Sequence, residues 1–212
     1  MKLYTHSPSP NCIKVMAVAH HLSIALEEVE MEPHSGSCKT PEYLAKNPNG
    51  LLPTLEDGGY CLWESNAIIV YLARKFEATA LFPTDLVGQA ELWRWMSWGM
   101  CHWTPAIRPL LYERMVQPLI HRQPTNQAAV EKAEAAFHPL ARLLDSHLSQ
   151  REFLLGTNLT LADFSLGAYL VYNQMAQIPL TDYPAIQAWY ARLASLPGWQ
   201  KALPQMHPPH KR

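Results

Sequence analysis

Neither sign of charge is in surplus: Lys and Arg number 17 against 18 for Asp and Glu. That balance excludes the net basic field by which nucleic acid or an acidic membrane surface would be recruited. The chain also lacks a Cys-x-x-Cys pair. Cys12, Cys38, Cys61 and Cys101 stand far apart, and none has a zinc-like spacing with histidine. Such thiols suit a reducing compartment, where they stay free. The ten histidines contain no His-x-x-x-His or Glu-bearing zinc motif, so no metal is expected. Long hydrophobic runs are missing too. Met1-Lys2-Leu3-Tyr4-Thr5 has none of the apolar length of a signal peptide, and the best apolar run, Ala67 to Ala73, is far too short to span a bilayer. A cytoplasmic protein with no membrane or nucleic-acid partner is the expectation, and there is no internal repeat or low-complexity tract.

What is present is a chain of 212 residues with 48% hydrophobic content, enough to bury a sizeable core as one large domain or two modest ones. Its rhythm changes along its length. Residues 1–76 alternate strand-like and helical segments: Lys2 to Thr5 and Glu27 to Glu30 read as strands around a helix from about Asn11 to His21, a βαβ unit. Thr54 to Glu56 and Tyr60 to Trp63, joined by Asp57-Gly58-Gly59, read as an antiparallel hairpin. A helix from Ser65 to Phe76 follows, with Ile68, Ile69, Tyr71, Leu72 and Phe76 on a broad apolar face. This order predicts a thioredoxin-like α/β layer.

Residues 77–87 have linker character, and residues 88–206 read as an all-helical domain, with a flexible tail over 207–212. Five helices are expected there: Gly88 to Leu119, kinked or split by Pro105 and Pro109; Ala128 to Leu148; Leu161 to Gln177; Tyr183 to Leu196; and Gly198 to Leu203. Thr160-Leu161-Ala162-Asp163 is a capping-box variant, with Leu159 and Phe164 as its hydrophobic staple. That box is structural, and Asp163 is not expected to be catalytic.

Three short segments carry candidate chemistry. Ser9-Pro10-Asn11-Cys12 lies between the first strand and the first helix, where serine caps and proline starts a helix well. Asn47-Pro48-Asn49-Gly50-Leu51-Leu52-Pro53-Thr54 puts proline directly before a strand, which requires a strand start, an edge or a cis bond. With a cis bond, Leu52 offers its backbone N–H and C=O to an extended peptide. Glu64-Ser65-Asn66 opens the last helix of the first half. There it is either a helix start or a place where Ser65 and free N–H groups receive a carboxylate while Glu64 meets an ammonium.

In this order and spacing the chain resembles the glutathione S-transferases, in both halves, through Trp63-Glu64-Ser65-Asn66-Ala67-Ile68 and Thr160-Leu161-Ala162-Asp163. It is most similar to the bacterial phi-like and theta-like members that use serine. The resemblance implies a thioredoxin-like N-terminal domain and an all-α C-terminal domain, a homodimer, and glutathione as co-substrate. It implies that Ser9 hydrogen-bonds the glutathione sulfur and that Asn11 is either a second thiol partner or a first-turn helix residue. Leu52 and Pro53 hold the cysteinyl moiety, Glu64 and Ser65 the γ-glutamyl end, and Lys39 the glycine carboxylate. Cys38 and Ile13 depart from the family, standing where histidine and arginine are frequent.

A small hydrophobic electrophile is the implied second substrate, with His6, His102 and Trp103 as its candidate pocket. The expected activity is attack of a glutathione thiolate on that electrophile. Alternatives are a glutathione-dependent disulfide reductase or peroxidase, since Ser9-Pro10-Asn11-Cys12 looks like a Cys-Pro-x-Cys motif with its first cysteine lost, and a non-catalytic glutathione-binding scaffold.

Overall fold

The structure, a computed structural model, describes residues 1–204. The expected tail over 207–212 lies outside them. The described chain divides into two compact units, residues 1–72 with 196–204, and residues 73–195.

The first unit is built on a four-stranded sheet of order β2-β1-β3-β4. Strands β1 (Lys2–Thr5) and β2 (Glu27–Glu30) run parallel around helix α1 (Pro10–His21). β3 (Thr54–Asp57) and β4 (Tyr60–Trp63) add antiparallel, with Leu3 opposite Leu55 in the buried register. Pro10 starts α1, and His20 and His21 fill its last turn, where burial pushes the His21 imidazole down toward its neutral form. Residues Cys12 to Ala19 are all buried, so α1 is covered on every side. A short helix α2 (Pro41–Leu44) precedes β3, and α3 (Ser65–Lys75) follows β4. Ile68, Ile69 and Leu72 of α3 are fully buried, whereas Phe76 lies beyond its end and is 46% exposed, contrary to the apolar face expected of it.

The last described helix, which we number α9 (Pro197–Ala202), packs on α1. Residues from 196 onward were expected in the helical domain; they belong to the first unit instead. The reason is local: a Cβ on Gly198 would lie 2.6 Å from the His21 backbone nitrogen, so only glycine permits this approach.

The second unit contains α4 (Leu86–Trp98), α5 (Thr104–Leu111), α6 (Gln127–Leu148), α7 (Leu161–Gly167) and α8 (Pro184–Ala194). The prolines expected to kink or split the first helix do neither outright. The chain stays helical from Leu86 to His121, but π-helical turns over Gly99–Trp103 and Tyr112–His121 flank α5. A wider turn accommodates the ring and the missing N–H of proline. The helix expected to reach Gln177 stops at Gly167 and tightens into a 3-10 turn over Ala168–Leu170. There Asn173 Nδ2 donates to the Leu170 carbonyl at 2.6 Å, so a side chain takes an acceptor that a continuing helix would use.

The stretch 77–87, expected as a linker, is packed: Leu81 and Phe82 are buried, and the Leu161 N–H donates to the Leu81 carbonyl at 3.1 Å. Asp163 anchors the unit. Its Oδ2 accepts the Thr160 N–H at 2.8 Å and the Thr160 hydroxyl at 3.1 Å; its Oδ1 accepts the Leu154 N–H and the Trp189 indole N–H, both at 2.9 Å. Burial pushes this carboxyl up, and the four donors pull against it. Among the described residues no helix is long and apolar enough to cross a membrane.

Candidate functional site

The site is assembled from three elements of the first unit. The first is the loop into β3. Asn47, almost wholly buried, donates to the Leu51 carbonyl at 2.8 Å, and the Tyr43 hydroxyl donates to the same carbonyl at 2.7 Å. Burial pushes the Tyr43 phenol up to about 12, so it keeps the proton it donates. Asn47 Oδ1 accepts the Asn49 N–H at 3.1 Å, closing a turn in which Gly50 takes φ +59°. The Leu52-Pro53 peptide bond is cis. β3 starts only at Thr54, so Leu52 lies outside the sheet ladder. Lys39 is exposed, and its ammonium donates to the Asn49 carbonyl at 3.1 Å.

The second element is the start of α3. Glu64 has φ +72°, a left-handed conformation that non-glycine residues adopt in tight corners and at functional sites. It turns the chain from β4 straight into the helix, leaving Glu64 exposed and Ser65 and Asn66 buried. Helix geometry leaves the first-turn N–H groups without intrahelical acceptors.

The third element is α1. The Ser65 hydroxyl donates to Asn11 Oδ1 at 3.2 Å, joining the two helix starts. One turn further along α1 is Lys14, 3% exposed, whose ammonium donates to Ser65 Oγ at 3.0 Å and to Asn66 Oδ1 at 2.8 Å. Burial pushes its pKa down to about 7, against the opposing pull of the Glu64 carboxylate. Ser9 is half-buried and does not cap the backbone of its own helix; its hydroxyl interacts with the Cys12 thiol, and its N–H donates to the His6 carbonyl at 2.8 Å.

These elements enclose a cleft of about 80 Å³ whose walls are Asn47, Asn49, Leu51, Leu52 and Pro53 on one side and Asn11, Glu64 and Ser65 on the other. Of the residues singled out in the sequence, the structure brings Asn11, Leu52, Pro53, Glu64 and Ser65 to one place. Ser9 stands two residues from Asn11, and Lys39 is bonded to the rim at Asn49. The groups present can receive a zwitterionic peptide: N–H groups and a hydroxyl suit a carboxylate, a carboxylate suits an ammonium, and the backbone at Leu52 lies outside the sheet ladder.

The pocket residues fare differently. His6 is half-buried, its Nδ1 3.3 Å from Glu30, while the Ser7 N–H also donates to Glu30. In the second unit His102 is exposed. Trp103 is not a pocket residue: it is 0% exposed, stacked on Trp98 at 5.9 Å and tilted against Phe137 at 5.2 Å, with its indole N–H donated to the Leu166 carbonyl. The family resemblance suggests it as a pocket residue next to His102 in sequence, but an indole buries more apolar area inside than at a rim. Cys12 is also fully buried, and burial pushes its thiol up.

Sequence reasoning missed Asn47 and Lys14. A lone lysine inside the apolar run Cys12-Ile13-Lys14-Val15-Met16-Ala17 was the available signal, since lysine is almost never fully buried without partners.

The family model described as the glutathione S-transferase N-terminal domain matches residues 1–74, and that of the C-terminal domain matches residues 107–197. This chain belongs to the glutathione S-transferase family. The transferase is 33% identical over 218 residues to glutathione S-transferase 3 of Zea mays, covering 99% of this chain and 97% of that one. Its fold is similar to that of the theta class glutathione S-transferase of Xanthomonas axonopodis pv. citri with glutathione bound, at TM-score 0.88 and 32% identity over 96% of this chain and 97% of that one. It is also similar to glutathione S-transferase I from mais in complex with an atrazine glutathione conjugate, at TM-score 0.86 and 28% identity over 95% of each chain.

Proposed function

We propose that this glutathione S-transferase is a serine-type enzyme of phi-like or theta-like character that forms the glutathione thiolate and directs it at a small hydrophobic electrophile. The observation that carries the reading is the convergence of Leu52, Pro53, Glu64, Ser65 and Asn11 on one cleft. The Leu52 backbone pairs with the cysteinyl moiety as a short strand would. Ser65 and the first-turn N–H groups of α3 take the γ-glutamyl carboxylate, and Glu64 takes its ammonium. Lys39, at the rim, faces the glycine carboxylate.

Ser9 then acts on the sulfur. A thiol with its ordinary pKa is only about 3% thiolate at pH 7, and lowering that pKa by roughly two units, ~2.7 kcal/mol, makes thiolate the majority form. A hydroxyl donor at the N-terminus of α1 acts in that direction, and Ser9 is not engaged in capping its own helix. Asn11, in the first turn of α1, lines the same cleft and is the second candidate partner of the thiol. The thiolate attacks the electrophilic carbon, the leaving group departs with its electron pair, and no covalent bond to the enzyme forms. We further propose a cytoplasmic homodimer.

The reductase reading needs an accessible, activated Cys12. Full burial and a raised thiol favour the conjugating one. Replacing Ser9 by alanine tests the mechanism: kcat/KM with a model chloronitrobenzene is expected to fall on the order of 10²-fold, with glutathione binding retained. Unchanged conjugation in that variant removes Ser9 from the chemistry, and glutathione binding by the parent with no turnover of any electrophile supports a scaffold.

A further inference from the structure

Lys14 is placed against the usual rule for a helix start. The N-terminus of α3 carries partial positive charge, which disfavours a cation beside it. Yet the ammonium is buried there and spends two hydrogen bonds on Ser65 and Asn66, the first residues of that helix. For the isolated fold the arrangement is unfavourable. For an anion arriving at the same helix start it is favourable, because donor and charge are already in place.

We propose that Lys14 is a positioning residue for the γ-glutamyl carboxylate: it holds Ser65 in the donating orientation and supplies a buried positive charge that the bound carboxylate completes. The inference rests on the glutathione site described above and adds to it a residue that does not line the cleft. The chain of bonds gives its direction. Lys14 donates to Ser65 Oγ, which occupies a lone pair of that oxygen and turns its hydrogen outward, to Asn11 Oδ1. A carboxylate at the α3 start receives the same hydrogen, strengthened by the charge behind it.

Glu64 is the charged group that acts on this ammonium, and Asn11, Ser65 and Asn66 around it are neutral. With Glu64 turned to the ligand ammonium, the incoming carboxylate becomes the main counter-charge of Lys14. Since burial holds the lysine pKa near 7, a nearby anion raises it, and binding takes up a proton at pH values above 7. The sign is definite. Below pH 7 free and bound forms are both protonated and affinity is at its maximum; above it, affinity declines as pH rises.

S-methylglutathione, which has no thiol to titrate, is the probe. Isothermal titrations of the full chain from pH 6.5 to 9, in buffers of different ionisation enthalpy, are expected to show proton uptake near pH 8. Lys14→Met is expected to cut that uptake to the share of the ligand's own ammonium, and to weaken binding about 10-fold at pH 6.5, with the two proteins converging by pH 9. In turnover, the loss appears in the KM for glutathione and leaves kcat nearly unchanged. Binding by the parent without proton uptake, or with affinity equal to that of Lys14→Met at every pH, overturns the role of Lys14 and leaves the glutathione site standing. No binding of the probe to the parent overturns both. Should Lys14→Met fail to fold, Lys14→Arg, charged at every pH of the series, is expected to bind as the parent does at pH 6.5 and to lose the lysine's share of the uptake; uptake equal to the parent's overturns the role.

Discussion

Each unit of the molecule contains a helix that begins in a buried polar knot, and the two knots are built with opposite charge. At the start of α7 the chain supplies its own carboxylate, and Asp163 accepts four donors from Thr160, Leu154 and Trp189. Negative charge beside a helix N-terminus is stabilising, so this knot is satisfied internally. At the start of α3 the chain supplies an ammonium instead. Here the polar groups are tied to one another while the helix end still favours an anion. One helix start is a fastener and the other, on the proposed reading, a receptor, and the sign of a single buried side chain separates them.

The comparison breaks most visibly at the fastener. Asp163→Ala leaves buried donors on Leu154, Trp189 and Thr160 without their acceptor, and urea denaturation is expected to show a loss of ~4 kcal/mol or more. Full stability in that variant would mean that the knot holds nothing together.

The receptor end is sharpened by pH. Folded Lys14 loses its proton near 7, whereas an unfolded lysine keeps it to about 10.5. Between those values the unfolded state binds the extra proton, so unfolding free energy is expected to rise with pH from about 7 to 10, by a few kcal/mol, and Lys14→Met is expected to flatten the rise. A third effect falls on the loop facing the receptor. In Gly50→Ala the new Cβ would lie 2.7 Å from the Cys38 carbonyl at a φ of +59°, so ~2 kcal/mol of stability should be lost, together with glutathione affinity. Smallest is Thr160→Ala, expected to cost ~1 kcal/mol in the same denaturation measurement, because Asp163 keeps its other donors.

Much of this architecture can be read from local signals. The βαβ unit and the Gly58-Gly59 hairpin follow from alternation and turn chemistry, and Pro53 before a strand pointed to the cis bond that is present. Glu64 and Ser65 declare a helix start by residue type alone. What stays hidden depends on tertiary approach. Lys14 stands out only as a lone charge in an apolar run, and its partners Ser65 and Asn66 appear only when α3 packs on it. Asn47 reads as a turn residue until Leu51 and Thr54 fold over its amide. Trp103 and His102 are neighbours in sequence, and only packing on Phe137 decides that one is core and the other surface. The place of α9 turns on the missing side chain of Gly198, which carries no periodicity to read.

The return of α9 to the first unit bears on biosynthesis. A ribosome delivers residues 73–195 before the segment that finishes the sheet domain, so the helical unit has all its own parts while the other still lacks the cover of α1. The half translated first is the half completed last. Until Gly198 emerges, the flank of α1 that α9 covers stays open to water.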